Sequence, residues 1–225
     1  MNILETLRES TDGMFEYMTP KLWLFGIILP FLIAMIITTF IHPFIVKMAK
    51  SRNMVDVPDA RKLQRQPIPV MGGLAVFFGV VMGAGVTSTF FNTYALFTCI
   101  ITLTMMMYIG MLDDMIGLSP VLRLVLEIAM IAFIVKMDQT NINDFHGLFG
   151  IHKLPVYVSL PLCTVACCGI INSINLIDGV DGLSSGYCIF ACLCFGLVFC
   201  SSYEGTMAIM ASLSAGALIP FFFHN

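Results

Sequence analysis

The chain has 225 residues, of which 58% are hydrophobic and 11% charged, and its mean hydropathy is +0.92. A water-soluble domain carries roughly a quarter charged residues, and disorder needs low hydrophobicity with high net charge, so both classes are excluded. The formal net charge of −3, with no basic stripe, argues against nucleic acid as a partner; a polytopic membrane protein remains.

In chain order, residues 1–21 come first, with Glu5, Glu9, Asp12 and Glu16 ahead of the first apolar run. A secretory signal begins with a basic stretch, so this segment is expected to be a periplasmic or interfacial leader. Ile3, Leu4, Leu7, Phe15 and Met18 would give it an apolar side. A spanning helix takes about 20 mostly apolar residues. By that measure, seven spans are expected, at 22–46, 73–91, 94–112, 121–137, 154–174, 184–201 and 206–223. The expected fold class is an all-α polytopic transmembrane helix bundle.

Within these runs, Gly79 and Gly83 form a GxxxG spacing that predicts a close helix contact. Pro30, Pro43, Pro161 and Pro220 fall in or near spans, where neighbouring helices tolerate them. Trp23 reads as an interface anchor. All eight cysteines lie in apolar runs and are expected to act as small buried hydrophobes. The four histidines are scattered, so no histidine cluster is expected.

Lysine and arginine set the sidedness. Lys47, Lys50, Arg52, Arg61, Lys62 and Arg65 fall between spans one and two and Arg123 follows span three, against Arg8, Lys21, Lys136 and Lys153 on the other side, seven against four. The N-terminus is therefore expected outside, with loops 1–2, 3–4 and 5–6 in the cytoplasm. Each of those loops carries an acidic pair: Asp56 and Asp59, Asp113 and Asp114, Asp178 and Asp181. That pattern predicts one composite site at the cytoplasmic surface.

The first loop reads Asp56-Val-Pro-Asp-Ala-Arg-Lys62, then Pro67-Ile-Pro-Val-Met-Gly-Gly73. Prolines stiffen it, paired glycines let backbone approach a ligand, and Arg and Lys are the usual partners of phosphate. A positive-inside loop that only meets anionic lipid is the plainer alternative. In the second loop, Asp113-Asp114 ends an apolar run. Carboxylates there are expensive unless paired, protonated or near a cation. Helix neighbours point about 100° apart, so one could act as base while the other is held by a basic residue such as Arg123. A helix cap with a solvated aspartate is the alternative.

The third motif is Asn172-Ser-Ile-Asn-Leu-Ile-Asp-Gly-Val-Asp-Gly-Leu183. Asn172 and Asn175 share a face if the helix continues through them. Their oxygens, with Asp178 and Asp181, suit Mg²⁺, which takes few protein ligands plus substrate phosphates. An Asx-rich turn is the alternative. Neither a P-loop nor G-x-S-x-G nor H-E-x-x-H is present.

Together, Asp-x-Pro-x-x-Arg-Lys with Pro-x-Pro-x-x-Gly-Gly, Gly-x-x-Asp-Asp, and Asn-x-x-Asn-x-x-Asp-Gly-x-Asp-Gly-Leu closely resemble the polyprenyl-phosphate N-acetylhexosamine-1-phosphate transferases. The resemblance runs from about residue 22 to the end. The first motif is similar to the bacterial WecA/TagO branch, which primes O-antigen, common-antigen and teichoic-acid chains. The phospho-MurNAc-pentapeptide branch has Thr-Pro-Thr-Met-Gly-Gly, where this chain has Ile68-Pro69-Val70-Met71-Gly72-Gly73. The family also has a histidine where this chain has Gln64.

The resemblance implies a transfer of sugar-1-phosphate, GlcNAc-1-phosphate in this branch, from a UDP-N-acetylhexosamine to undecaprenyl phosphate, with release of UMP. It implies Mg²⁺ as cofactor with Asn175 as a ligand, and Asp113 and Asp114 as the catalytic pair. Arg123 would bind phosphates, Asp178 and Gly179 would shape the nucleotide pocket, Asp181 would meet the uracil, and Lys62 would add positive charge. The partners implied are the nucleotide sugar, undecaprenyl phosphate and membrane lipid, with a homodimer left open and no nucleic acid. The location implied is the bacterial inner membrane, with the site on the cytoplasmic face.

Family members carry about ten or more spans and a later Met-Gly-Asp motif whose aspartate helps hold Mg²⁺. Residues 22–225 are accordingly expected to be the N-terminal part of one transferase domain, inactive alone. The rival classes are a cation-coupled transporter and a catalytically silent fragment; polar residues gathered on one side disfavour transport.

Overall fold

The computed structural model describes residues 23–52, 54–56, 68–69, 71–88, 94–138, 142–178 and 182–224. The leader expected at 1–21 lies outside them. Among the described residues, seven α-helices stand where the seven apolar runs are: α1 (Leu29–Ser51), α2 (Gly72–Thr87), α3 (Tyr94–Ile116), α4 (Pro120–Asp138), α5 (Val156–Ile177), α6 (Leu183–Ser201) and α7 (Gly205–Phe222). A π-helical turn, Trp23–Ile28, leads directly into α1.

Five helical stretches are long and apolar enough to cross a membrane: Trp23–Ser51, Leu96–Ile116, Val156–Ile177, Leu183–Ser201 and Gly205–Phe222. The other two fall short by that measure for different reasons. Helix α2 has 16 residues, about 24 Å at 1.5 Å per residue. Helix α4 carries Arg123, Glu127 and Lys136 among its 19 residues. Phe40, Phe44, Phe190 and Leu197 are well exposed, as side chains facing hydrocarbon are. The chain is an all-α, multi-pass membrane protein.

Between α1 and α2, a two-residue strand β1 (Val55–Asp56) pairs antiparallel with β2 (Ile68–Pro69), Val55 opposite Pro69 and Asp56 opposite Ile68. This short ladder sets Asp56, which opens the first motif, opposite Ile68 in the motif's proline-rich second half.

The chain divides into two compact units, residues 1–100 with 178–225, and residues 101–177. In the first unit, α7 is the most enclosed helix, with Ile209, Leu213, Ala215 and Ala217 buried. Small residues bring its backbone and those of α1 and α2 close together, as tight membrane-helix packing requires. A Cβ on Gly79 would collide with the Thr38 hydroxyl and lie 2.9 Å from the Ala34 carbonyl; one on Gly83 would lie 2.5 Å from Leu213. The expected GxxxG contact is thus made against α1 and α7. Gly216 sits against the Phe31 carbonyl so closely that any Cβ would displace it. Two hydroxyls satisfy backbone carbonyls across helices: Thr38 Oγ1 donates to Ala75 O at 3.4 Å, and Ser212 Oγ to Ile27 O at 2.6 Å.

The second unit packs α4 against α5 around Ile131, Val135, Cys163 and Cys168, with Leu160 and Ile171 alongside. The segment joining them folds back on itself: Asp144 and Lys153 form an antiparallel bridge, and Ser159 Oγ donates to Ile142 O at 2.7 Å. The cysteines divide rather than behaving alike. Cys163, Cys168 and Cys200 are buried, whereas Cys167 and Cys194 are exposed, because they fall on the outward faces of apolar helices.

Candidate active site

The turn between α3 and α4 is specified locally by Gly117-Leu-Ser-Pro120. Gly117 takes φ +63°, a left-handed conformation that ends α3 at little cost only for glycine. Its N–H donates to Asp113 O at 2.8 Å, and the Leu118 N–H donates to Asp113 Oδ1 at 3.0 Å. Ser119 then caps α4, its Oγ accepting from Leu122 N at 3.3 Å, and Pro120 occupies the first helical position, which suits its fixed φ. This geometry sets Asp113, on the last turn of α3, beside Arg123, on the first turn of α4.

Arg123 is the hub of the second unit. Its Nη1 donates to Asp113 Oδ2 at 3.2 Å and its Nη2 to Asn172 Oδ1, from α5, at 3.4 Å. Its Nε lies 3.6 Å from Glu127 Oε1, one turn further along α4. Asn172 closes the ring: its Nδ2 donates to Glu127 Oε2 at 2.8 Å and to Cys168 O at 2.9 Å. Three helices therefore contribute one cation, two carboxylates and one amide to a single network. Arg123 has five N–H groups; among the described residues these contacts leave one on each terminal nitrogen to meet an added anion.

Asp113 is the member of the acidic pair that the basic residue holds; Asp114 is exposed on the same turn. The α5 helix continues to Ile177, so Asn172 and Asn175 are placed one turn apart as expected. Their surroundings differ, since Asn172 is part-buried in the network while Asn175 is exposed. In the other unit, Asp178 Oδ1 accepts a short hydrogen bond from Ser184 Oγ, at the start of α6. Gly182, at φ +69°, precedes that helix. Lys62, Gly179 and Asp181 lie outside the described residues.

Asn175 offers one neutral amide oxygen, a weak anchor for a strongly hydrated cation that is usually held by carboxylates and phosphates. Among the described residues there is no group of three or more His, Cys, Asp or Glu side chains placed to hold a metal.

Two relationships were missed from the sequence. Glu127 is buried on α4; the available signal was an acid four residues after an arginine in an otherwise apolar run. The second is in the first unit. His42 is buried on α1 with its ring centroid 4.7 Å from that of His224, just past α7. His224 Nδ1 donates to Pro220 O at 2.7 Å. No sequence signal links these two histidines, and the expectation that the histidines are dispersed is corrected for this pair.

The profile of glycosyl transferase family 4 matches residues 96–225, more than half of the chain and all three helices of the Arg123 network. The chain belongs to glycosyl transferase family 4. Among similar curated proteins, the probable undecaprenyl-phosphate N-acetylglucosaminyl 1-phosphate transferase of Bacillus subtilis is 28% identical over 204 residues, covering 88% of this chain and 55% of that protein. The undecaprenyl-phosphate alpha-N-acetylglucosaminyl 1-phosphate transferase of Escherichia coli K12 is 25% identical over 84% of this chain and 51% of its own length. The Thermotoga maritima protein of the same description is 27% identical over 72% and 49%. This family 4 chain thus spans about half the length of the curated relatives it matches.

Proposed function

We propose that this family 4 chain contributes to transfer of a sugar-1-phosphate, GlcNAc-1-phosphate above all, from a UDP-N-acetylhexosamine to undecaprenyl phosphate, at the cytoplasmic face of the bacterial inner membrane. The observation that carries this reading is Arg123, bracketed by Asp113, Glu127 and Asn172, with one N–H on each terminal nitrogen left over among the described residues for a phosphate. The descriptions of the relatives support both the sugar phosphate and the lipid acceptor.

In this reaction a non-bridging oxygen of the lipid phosphate bonds to the sugar-bearing phosphorus. The bond from that phosphorus to the oxygen it shares with the nucleotide phosphorus breaks, and UMP leaves with that oxygen. The protein mainly positions reactants and stabilises charge in such a transfer. Arg123 binds the incoming lipid phosphate through the N–H groups that its present contacts leave. Asp113, held at Nη1, orients the phosphate or takes its remaining proton. Asp114 supports the site. Asp178, steadied by Ser184, shapes the nucleotide pocket with Gly179; Asp181 meets the uracil, and Lys62 adds positive charge. Mg²⁺, with Asn175 as one ligand, would offset the negative charge of the pyrophosphate.

The assay is UMP release from UDP-GlcNAc. We expect release only when both undecaprenyl phosphate and Mg²⁺ are supplied. Because the chain spans about half the length of its relatives, the assay uses residues 1–225 and, in parallel, the same residues joined to the C-terminal half of the Bacillus subtilis protein. Release that is indifferent to undecaprenyl phosphate, or cation flux into liposomes in its place, would overturn the reading.

A further inference from the structure

The geometry points to Glu127 as a positioning residue that sets Arg123 and Asn172 in their phosphate-binding orientation. This rests on the reading of Arg123 as the phosphate-binding residue. Glu127 lies two turns into α4 and is buried, 5% exposed. A carboxylate in an apolar helix is expensive unless its oxygens are satisfied. Here each oxygen has one partner: Oε1 faces Arg123 Nε at 3.6 Å, and Oε2 accepts from Asn172 Nδ2 at 2.8 Å.

Two orientations follow from those partners. A guanidinium is planar, so fixing Nε from one side leaves the terminal nitrogens directed at Asp113 and Asn172. The amide of Asn172 is a two-sided group, and its Nδ2 is committed to Glu127 and to Cys168 O. Its Oδ1 must then face Arg123, where it accepts from Nη2 at 3.4 Å. Without the Glu127 carboxylate, the Asn172 amide keeps only the Cys168 carbonyl and the long Arg123 contact in this ring to tell its two ends apart. Nε of Arg123 would also lose its ion-pair partner in the network. Glu127 touches neither reactant on this account; it acts through Arg123.

The test measures the apparent Kd of residues 1–225, in lipid nanodiscs, for undecaprenyl phosphate, with undecaprenol as the control lacking phosphate. Glu127→Ala, Glu127→Gln, Arg123→Ala and the Glu127→Ala/Arg123→Ala pair are compared, and thermal melting of each checks folding. Partners that orient metal ligands are typically worth about tenfold or more in affinity, and a loss of that order is expected for Glu127→Ala. Glu127→Gln keeps one acceptor oxygen and is expected to fall between wild type and Ala, so it reports even where Ala melts early. In the Arg123→Ala background, Glu127→Ala should have no further effect, because its route to the phosphate is gone.

Wild-type affinity in Glu127→Ala and in Glu127→Gln, with Arg123→Ala weakened, overturns the role of Glu127 alone. An equal loss from Glu127→Ala with and without Arg123 also overturns it, since Glu127 would then act by another route. Wild-type affinity in Arg123→Ala instead overturns the phosphate-binding reading on which the inference stands.

Discussion

The guanidinium of Arg123 bridges two helix ends, meeting Asp113 Oδ2 at 3.2 Å across a turn of three residues, Gly117 to Ser119. The pair is part-buried, and breaking it leaves an uncompensated charge at the end of an apolar helix. Asp113→Asn keeps the shape and removes the charge. In the full-length protein we expect this variant to lose most of kcat while UDP-sugar binding is largely kept, because its proposed partner is the lipid phosphate. Near-normal turnover would remove Asp113 from the chemistry.

Asp181 is expected to behave differently. Its proposed contact is the uracil, so Asp181→Ala should raise KM for the nucleotide sugar more than it lowers kcat, through loss of a hydrogen bond to a charged group, about 1.5–3 kcal/mol. A fall in kcat at unchanged KM would assign it to the reacting phosphates.

Sidedness has a direct test. Positive loop residues favour the cytoplasm. In a background without other cysteines, Gln64→Cys should react with a membrane-impermeant thiol reagent in inside-out vesicles and not in intact cells. Labelling from the periplasmic side would invert the arrangement of all three motifs.

Packing in the first unit makes a contrast between two glycines. A Cβ at Gly216 would collide with the Phe31 carbonyl, whereas one at Gly85 meets nothing within 4 Å. Gly216→Ala should therefore destabilise by about 1–3 kcal/mol, the usual cost of overpacking. Gly85→Ala should be neutral or stabilising by up to about 1 kcal/mol, because alanine is the better helix former. Melting of both variants in detergent checks the difference; equal melting would mean that α1 and α7 do not approach as described.

The last prediction concerns residues 1–225 by themselves. Asn175 supplies a single neutral oxygen, and the chain spans about half the length of its relatives. We expect no UMP release and weak UDP-GlcNAc binding from these residues alone. Mg²⁺-dependent release that disappears in Asn175→Ala would show that they carry a whole site.

Hydropathy by itself determined the five helices of spanning length, because so long an apolar run pairs its own backbone groups in lipid only as a helix. The Gly-Leu-Ser-Pro turn and the Gly79–Gly83 contact were legible for a similar reason: each depends on residues close in sequence whose backbone constraints are strong. The sequence also offered Arg123 as a partner for Asp113, ten positions away across one turn. Which way each helix is rotated, and what it then faces, was decided only by tertiary packing. Hydropathy is nearly uniform around such helices and marks no preferred face. Glu127 therefore met Asn172 from 45 positions away, Asn172 rather than Asn175 entered the Arg123 network, and His42 came to rest against His224.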